Sequence, residues 1–222
     1  MCTRYYIDTN ISIELIDFIE ASNHHPLMNK FIRTPNGSLV KTGEVRPTDI
    51  APVIAPNKNG QRAIYPMRWG FRNIEHDSLL FNARSETAGK KPTFREAWEA
   101  HRCIVPASYY FEWQHYMENG KEKTGDKYLI QPENSTVTWL CGLYHIENGL
   151  PTFVILTREP TEKLRMLHDR MPLILPSDMI DDWIQPDNKP EDFLQYAVTN
   201  LITEKVDDNA IKKQLPNQLS FL

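Results

Sequence analysis

The chain has 222 residues, a formal net charge of −4 and 41% hydrophobic residues, enough for one domain with a substantial core. No apolar run approaches the roughly 20 residues that cross a bilayer, and no signal peptide is evident, so we expect no membrane partner. Three cysteines without paired spacing favour reduced thiols in a cytoplasmic protein that needs no metal and no cofactor.

The first half of the chain predicts one clear helix. An apolar pattern from Ile11 to Ile19, preceded by Asn10, indicates an amphipathic helix that ends near residues 22–23. Five prolines between residues 28 and 66 then predict loops and short strands rather than helix. Thr93-Phe94-Arg95-Glu96 fits a capping box and predicts a second helix that runs to about His101.

The second half of the chain is typical of a sheet. Short β-branched or aromatic runs are separated by Gly, Pro, Asn and Asp at residues 103–105, 109–114, 128–131, 138–144 and 153–156. Short helices are predicted from Ser177 to about Trp183 and from Pro190 to about Tyr196. We therefore predict an α+β fold: a single domain, residues 1–222, with a mainly antiparallel, barrel-like β core flanked by short helices. Residues from about 198 would be a C-terminal extension that packs on the domain or is partly free.

Cys2 offers the most distinctive chemistry. Removal of Met1 would leave a 1,2-aminothiol, whose amine condenses with an aldehyde to an imine before the thiol closes a five-membered thiazolidine ring. An α-amine titrates near about 8 and a thiol near about 8.5, so both have a reactive fraction at neutral pH. The simpler interpretation is a small buried hydrophobic residue, which is the usual role of cysteine.

Two polar features could bind or orient a substrate. Residues 81–87 include Asn82 and Arg84, and a guanidinium matches phosphate oxygens, although an ordinary surface turn has the same composition. Residues 58–102 hold nine Lys or Arg against five Asp or Glu, while residues 177–222 hold four against nine. A basic middle and an acidic end are compatible with a nucleic-acid-binding face, although chance often gives such a distribution.

Two titratable side chains are candidates for proton transfer. Glu112 lies in an aromatic strand, either on a solvated face or half-buried with a raised pKa, and its alternation with Tyr110 and Gln114 slightly favours the solvated face. His168 is predicted at the end of a helical stretch, between Leu167 and Asp169. It can act as a general acid or base near neutral pH, or only as a hydrogen-bonding group.

In this order, the motifs resemble the SOS response-associated peptidase (SRAP) family, the abasic-site processing proteins. The similarity extends from Met1 to about Leu175. It rests on Met1-Cys2 with Arg4-Tyr5, Phe81 to Thr87, Arg102-Cys103 with residues 105–107, Phe111-Glu112-Trp113, and His168-Asp169-Arg170-Met171-Pro172.

The resemblance implies a protein that binds single-stranded DNA at an abasic site and forms a covalent thiazolidine crosslink through Cys2, shielding the lesion from strand cleavage. In such a protein Asn82 would hydrogen-bond near Cys2 and the sugar, Glu112 would position the amine and transfer protons, and His168 would be the acid/base partner at the sugar hydroxyl. Arg4, Arg84 and Arg170 would pair with phosphates, and Trp69 would stack on a base. Such a protein is an enzyme of the crosslinking, lyase-like kind.

The chain departs from the family where Thr3 and Tyr109 replace glycines, after Trp69-Gly70, and at Pro160-Thr161. These departures concern the DNA-contact surface and its junction preference more than the chemistry.

Two other functions stay open. A thiol peptidase or N-terminal-nucleophile amidohydrolase would use Cys2 to attack an amide carbonyl, and it would turn over peptides. A binding module for single strands or junctions would need Cys2 only for structure. The last residues, Gln218-Leu219-Ser220-Phe221-Leu222, resemble peptides that dock on bacterial sliding clamps with the usual Leu-Phe order reversed, although a tail packed on its own domain is the simpler interpretation. We expect a monomer.

Overall fold

The computed structural model describes residues 2–33, 39–73 and 76–206. The helices are α1 (Ile13–His24), α2 (Met28–Ile32), α3 (Pro92–Ala100) and α4 (Ile180–Trp183). The strands are β1 (Tyr5–Ile7), β2 (Gly43–Val45), β3 (Ile50–Pro56), β4 (Arg62–Trp69), β5 (Phe71–Asn73), β6 (Ser78–Leu80), β7 (Asn82–Arg84), β8 (Arg102–Ala107), β9 (Tyr109–Glu118), β10 (Lys121–Pro132), β11 (Thr138–Glu147), β12 (Leu150–Arg158), β13 (Met171–Pro172) and β14 (Leu201–Lys205). Segments of 3₁₀ helix lie at Ala88–Lys90, Ser177–Met179 and Pro190–Tyr196.

Five strands close into a barrel, in the order β11, β8, β3, β4 and β12, with β12 pairing back to β11. Every neighbouring pair is antiparallel except β4 with β12. The end of β12 extends beyond the barrel and pairs with β7 and β13. Closure removes the free edges of the sheet. The prediction of an α+β fold with a mainly antiparallel, barrel-like core is therefore confirmed.

A second sheet, in the order β14, β10, β9, β1 and β2, is joined to the barrel at Ser108. This buried serine is the single residue between β8 and β9. Its hydroxyl accepts the backbone N–H of Asp8 at 2.8 Å, and its carbonyl accepts the hydroxyl of Thr138 at 2.9 Å. The strand that carries Glu112 is thus fixed to the barrel at one end.

Arg102 ties the segment after α4 to the barrel. Its guanidinium is buried, lies 5.5 Å from the centre of a ring of Trp183, and donates to five backbone carbonyls, those of Trp98, Glu99, Trp183, Gln185 and Asn188. Burial lowers its pKa. Carbonyl acceptors without a carboxylate indicate a structural arginine rather than a ligand-binding one.

Three predicted elements differ from the structure. Residues 28–66 include α2, whose Met28 and Phe31 are buried, so the exclusion of helix was wrong there. β3 and β4 are also longer than expected, because Pro52 lies opposite Pro66 and the two missing N–H donors fall at one site of the ladder. α3 begins at Pro92 with Lys91 as the N-cap and no capping side chain, so Thr93 lies inside the helix and the capping box is not formed.

The C-terminal part that the structure describes belongs to the second sheet, since β14 pairs with β10 along five residues. Residues 207–222, with the proposed clamp-binding peptide, lie outside the described residues. Among the helices described here, none is long and apolar enough to cross a membrane.

Candidate active site around Cys2

Cys2 lies just before β1 and is fully buried. Its thiol donates to the carbonyl oxygen of Arg4 at 3.8 Å, and the same oxygen accepts the backbone N–H of Phe111 in β9 at 2.9 Å. The first residues of the chain are therefore held along the strand that carries Glu112. Burial, followed by the negative charge of Glu112, raises the pKa of the Cys2 thiol, so the thiol is neutral at neutral pH.

Asn82 contacts Cys2 from a strand that pairs with the end of β12. Its strand, β7, runs parallel to β12 with Asn82 opposite Ile155. The side-chain amide Nδ2 donates to the carbonyl oxygen of Cys2 at 2.9 Å, while Oδ1 is buried without a protein partner. The Nδ2 group of the amide thus fixes Cys2, and its Oδ1 atom can accept a hydrogen bond from a polar ligand.

Glu112 is buried, with 4% of its surface exposed. Burial raises its pKa to about 7, against the positive charge of the amino terminus, and the Asp169 carboxylate adds to the rise. Its Oε1 has no hydrogen-bond partner. The prediction of a solvated face was wrong, because Tyr110 and Glu112, which alternate onto the same face of β9, are both buried. Glu112 can therefore gain and lose a proton near neutral pH.

His168 follows a series of turns rather than a helix, and its Nδ1 has two competing contacts. The backbone N–H of Arg170 donates to Nδ1 at 3.1 Å, which requires an unprotonated nitrogen. The Asp169 carboxylate lies 2.6 Å from the same nitrogen and favours the imidazolium. Burial lowers the pKa of His168. Because the two contacts stabilise opposite protonation states, the ring is suited to acid/base chemistry.

Arg84 and Arg170 line one open cleft of about 360 Å³, together with Glu159, Pro160, Arg165 and Asp169. The Arg84 side chain ends β7 and is exposed. Arg170 precedes β13 and is largely buried; its Nη2 donates to Glu86 and to the Thr157 carbonyl, each at 2.8 Å. The end of β12 therefore holds both arginines at one surface.

Arg4 belongs to a second basic cluster. Its Nε lies 3.4 Å from the Glu44 carboxylate, which also contacts Arg46 at 2.8 Å and Lys127 at 3.1 Å. Three cations around one carboxylate leave a net positive charge close to Cys2, since Arg4 is two residues away. Such a surplus favours an anionic ligand.

Comparison with known proteins identifies the family. The family model described as SOS response-associated peptidase (SRAP) matches residues 1–217. The chain belongs to the SRAP family. Its curated relatives in Bacillus subtilis include abasic site processing protein YoqW, 30% identical over 206 residues that cover 88% of this chain and 85% of the relative. Abasic site processing protein YoaM of the same organism is 32% identical over 172 residues, or 72% of this chain and 73% of the relative.

Solved structures share the SRAP fold. A protein from Bacteroides thetaiotaomicron aligns with a TM-score of 0.66 at 19% identity, covering 95% of this chain and 94% of the other. A protein from Bordetella bronchiseptica aligns with a TM-score of 0.65 at 22% identity, covering 93% of this chain and all of the other.

One predicted contact of this SRAP chain is wrong. Trp69 is fully buried, its ring stacks on Phe153 at 5.9 Å and lies 5.2 Å from Tyr5, and its Nε1 donates to the Phe81 carbonyl at 2.8 Å. A tryptophan enclosed in this way has no face for a DNA base, so its role is in the core.

The sequence also left out part of the site. The hydroxyls of Tyr5 and Tyr110 are buried without partners, and the phenol of Tyr110 interacts electrostatically with both Cys2 and Glu112. The alternation of Tyr110 with Glu112 was the available signal, but it did not tell which face is covered. Within the described ranges, no group of three or more His, Cys, Asp or Glu is placed to hold a metal ion.

Proposed function

We propose that this SRAP protein binds abasic sites in single-stranded DNA and, once Met1 is removed, bonds covalently to them through Cys2 as a thiazolidine. The observation that carries the proposal is Glu112, a buried carboxyl with a pKa of about 7 whose charge acts on the Cys2 thiol. Relatives named abasic site processing proteins supply the substrate class.

The proposed reaction needs no oxidant and no further reactant. The Cys2 amine attacks the aldehyde carbon of the open-chain deoxyribose, and loss of one water gives an imine. The thiol sulfur then bonds to the imine carbon while the thiol proton passes to the nitrogen, which closes the ring. Glu112 would take the ammonium proton before attack and return it to the departing hydroxyl. His168 would move the proton that opens the sugar ring.

The order of these steps suits the buried thiol. The amine reacts first, so the thiol is needed only when the imine carbon is already adjacent, and an intramolecular step tolerates a neutral nucleophile. Asn82 supports this geometry by holding the Cys2 carbonyl at 2.9 Å, which limits the rotation of the residue that carries both nucleophiles.

The same thiol argues against the peptidase alternative. A thiol peptidase attacks an amide as the thiolate, and such enzymes lower the pKa of the cysteine with a neighbouring cation. Here burial and the Glu112 carboxylate raise it. Peptide turnover is therefore the less favoured activity for this site.

We propose that the DNA backbone is bound by Arg84 and Arg170 in their shared cleft, with Arg4 contributing from the cluster around Glu44. The positive side chains would hold the phosphates on either side of the abasic sugar.

The protein would act in the cytoplasm as a monomer. A sliding-clamp contact through residues 218–222 stays a prediction, and it would be abandoned if deletion of these residues leaves clamp affinity unchanged.

The test is a denaturing gel of Met1-processed protein mixed with a single-stranded oligonucleotide that contains one abasic site. The wild type and Cys141→Ala, a matched variant at another buried cysteine, should give a heat-stable shifted band, and Cys2→Ala should give none. A band of equal strength from Cys2→Ala, or no band from fully processed wild type, would reject the proposal. In the second case a peptide library would test the amidohydrolase activity.

A further inference from the structure

A second histidine contacts His168. His115 lies in the outer part of β9, and its ring meets the ring of His168 edge to face, with centroids 5.3 Å apart and planes at 84°. The backbone N–H of His115 donates to the Leu167 carbonyl at 3.3 Å. Two independent contacts therefore connect the hairpin of β9 and β10 to the turn that presents His168.

His115 is held from the neighbouring strand. Its Nδ1 lies 3.1 Å from the carboxylate of Glu122 in β10. The carboxylate fixes the orientation of the ring. The packing of His168 thus depends on the contact between His115 and Glu122 on the hairpin, and His115 follows Glu112 by three residues in β9.

We infer that His115 is a positioning residue for His168, and that with Glu122 it sets the orientation and protonation state of that ring. This inference rests on the proposed function for its consequence in DNA crosslinking. The edge-to-face contact limits rotation of the His168 ring, whose Nδ1 has the two competing contacts with Asp169 and the Arg170 N–H. A ring free to rotate would present its nitrogens to the sugar in more than one direction.

The charges around the two histidines predict the direction in which His115 changes the pKa of His168. Burial lowers the pKa of His168 most, the amino terminus adds to this, and a charged His115 lowers it further, whereas Asp169 and Glu122 raise it. A protonated His115 therefore favours the neutral His168 ring, in which Nδ1 accepts the Arg170 N–H. The amino terminus, His115, Asp169 and Glu122 are four charged or titratable groups that act on His168.

The experiment separates the inference from the proposed function. The His168 imidazole is titrated by NMR in the free protein, for the wild type, His115→Phe, His115→Ala and the control His24→Phe, which changes an exposed histidine at the end of α1. His115→Phe keeps an aromatic edge and removes the charge, so the His168 midpoint should move to higher pH. His24→Phe should leave it unchanged. An unchanged midpoint in both His115 variants would overturn the inference.

The same variants are then compared for the rate of crosslinking to the abasic oligonucleotide. His115→Ala loses the ring contact and should slow the reaction by about fivefold at neutral pH, whereas His115→Phe should retain more of the rate and shift its pH profile in the direction of the NMR midpoint. Equal rates and equal profiles for all four proteins would also overturn the inference. If the wild type itself forms no crosslink, the proposed function fails, while the NMR titration still decides the role of His115.

Discussion

Replacing Glu112 with glutamine should make the protein more stable, and increasingly so as the pH rises. The carboxyl has an ordinary pKa of 4.5 and a folded-state pKa of about 7, and it is almost completely buried. Glutamine has nearly the same shape and cannot ionise. The variant therefore removes the free-energy cost of a buried negative charge while leaving the pairing of β9 with β1 in place.

The magnitude follows from the difference between the two pKa values. Between pH 4.5 and about 7 the unfolded chain releases the Glu112 proton while the folded protein keeps it, so the wild type loses stability as the pH rises through this window. The total loss corresponds to about 3 kcal/mol. The difference in unfolding free energy between Glu112→Gln and the wild type should thus grow by about 3 kcal/mol across the window and be constant above it.

Urea unfolding at a series of pH values from about 4 to 8.5 measures this difference directly. Glu118→Gln serves as the control, because Glu118 lies in the same strand with a mostly exposed side chain. Its difference from the wild type should stay within a few tenths of a kcal/mol throughout. A constant difference for Glu112→Gln across the whole range would refute the argument that burial holds this carboxyl protonated.

Three further predictions concern single side chains. Trp69→Ala should lower the unfolding free energy by about 3 to 5 kcal/mol, because it leaves a cavity beside Phe153, and a nearly unchanged urea midpoint would contradict the assignment of Trp69 to the core. Arg84→Gln should reduce the slope of log affinity for single-stranded DNA against log salt by about 0.7, and an unchanged slope in a binding titration would remove Arg84 from the phosphate contacts. Asn82→Ala should slow crosslinking about tenfold through loss of the bond to the Cys2 carbonyl, measured as the rate of gel-shifted product; wild-type rates would mean that this bond does not orient Cys2.

The strands of the barrel were predictable because they are rich in residue types that favour strands wherever they occur. Residues 138–144 and 153–156 were identified by β-branched and aromatic side chains and lie within β11 and β12. The structure of residues 28–66 was less predictable, because each proline taken alone disfavours a long strand. Pro52 and Pro66 are tolerated because they face each other across two strands, which is a property of the register rather than of either residue.

The geometry of the site likewise depends on tertiary contacts that the sequence does not reveal. The sequence indicated that Cys2, Asn82, Glu112 and His168 carry chemistry, but no spacing along the chain gives the 2.9 Å contact between Asn82 and Cys2, which are 80 residues apart. Alternation grouped Glu112 with Tyr110 but did not tell that their face of the sheet is buried. Trp69 was assigned to DNA stacking from its residue type, and burial depends on tertiary packing that residue type does not determine.

The most direct test of the thiazolidine crosslink is the intact mass of the product formed by Met1-processed protein and an oligonucleotide with one abasic site. A thiazolidine crosslink predicts a species equal to the sum of the two reactants less one water, which resists reduction by borohydride because the imine has already closed to a ring. Proteolysis should leave the DNA remnant on the peptide that begins at Cys2. A modification mapped to a lysine, or a product that borohydride traps quantitatively, would contradict the thiazolidine and leave Cys2 without its proposed role.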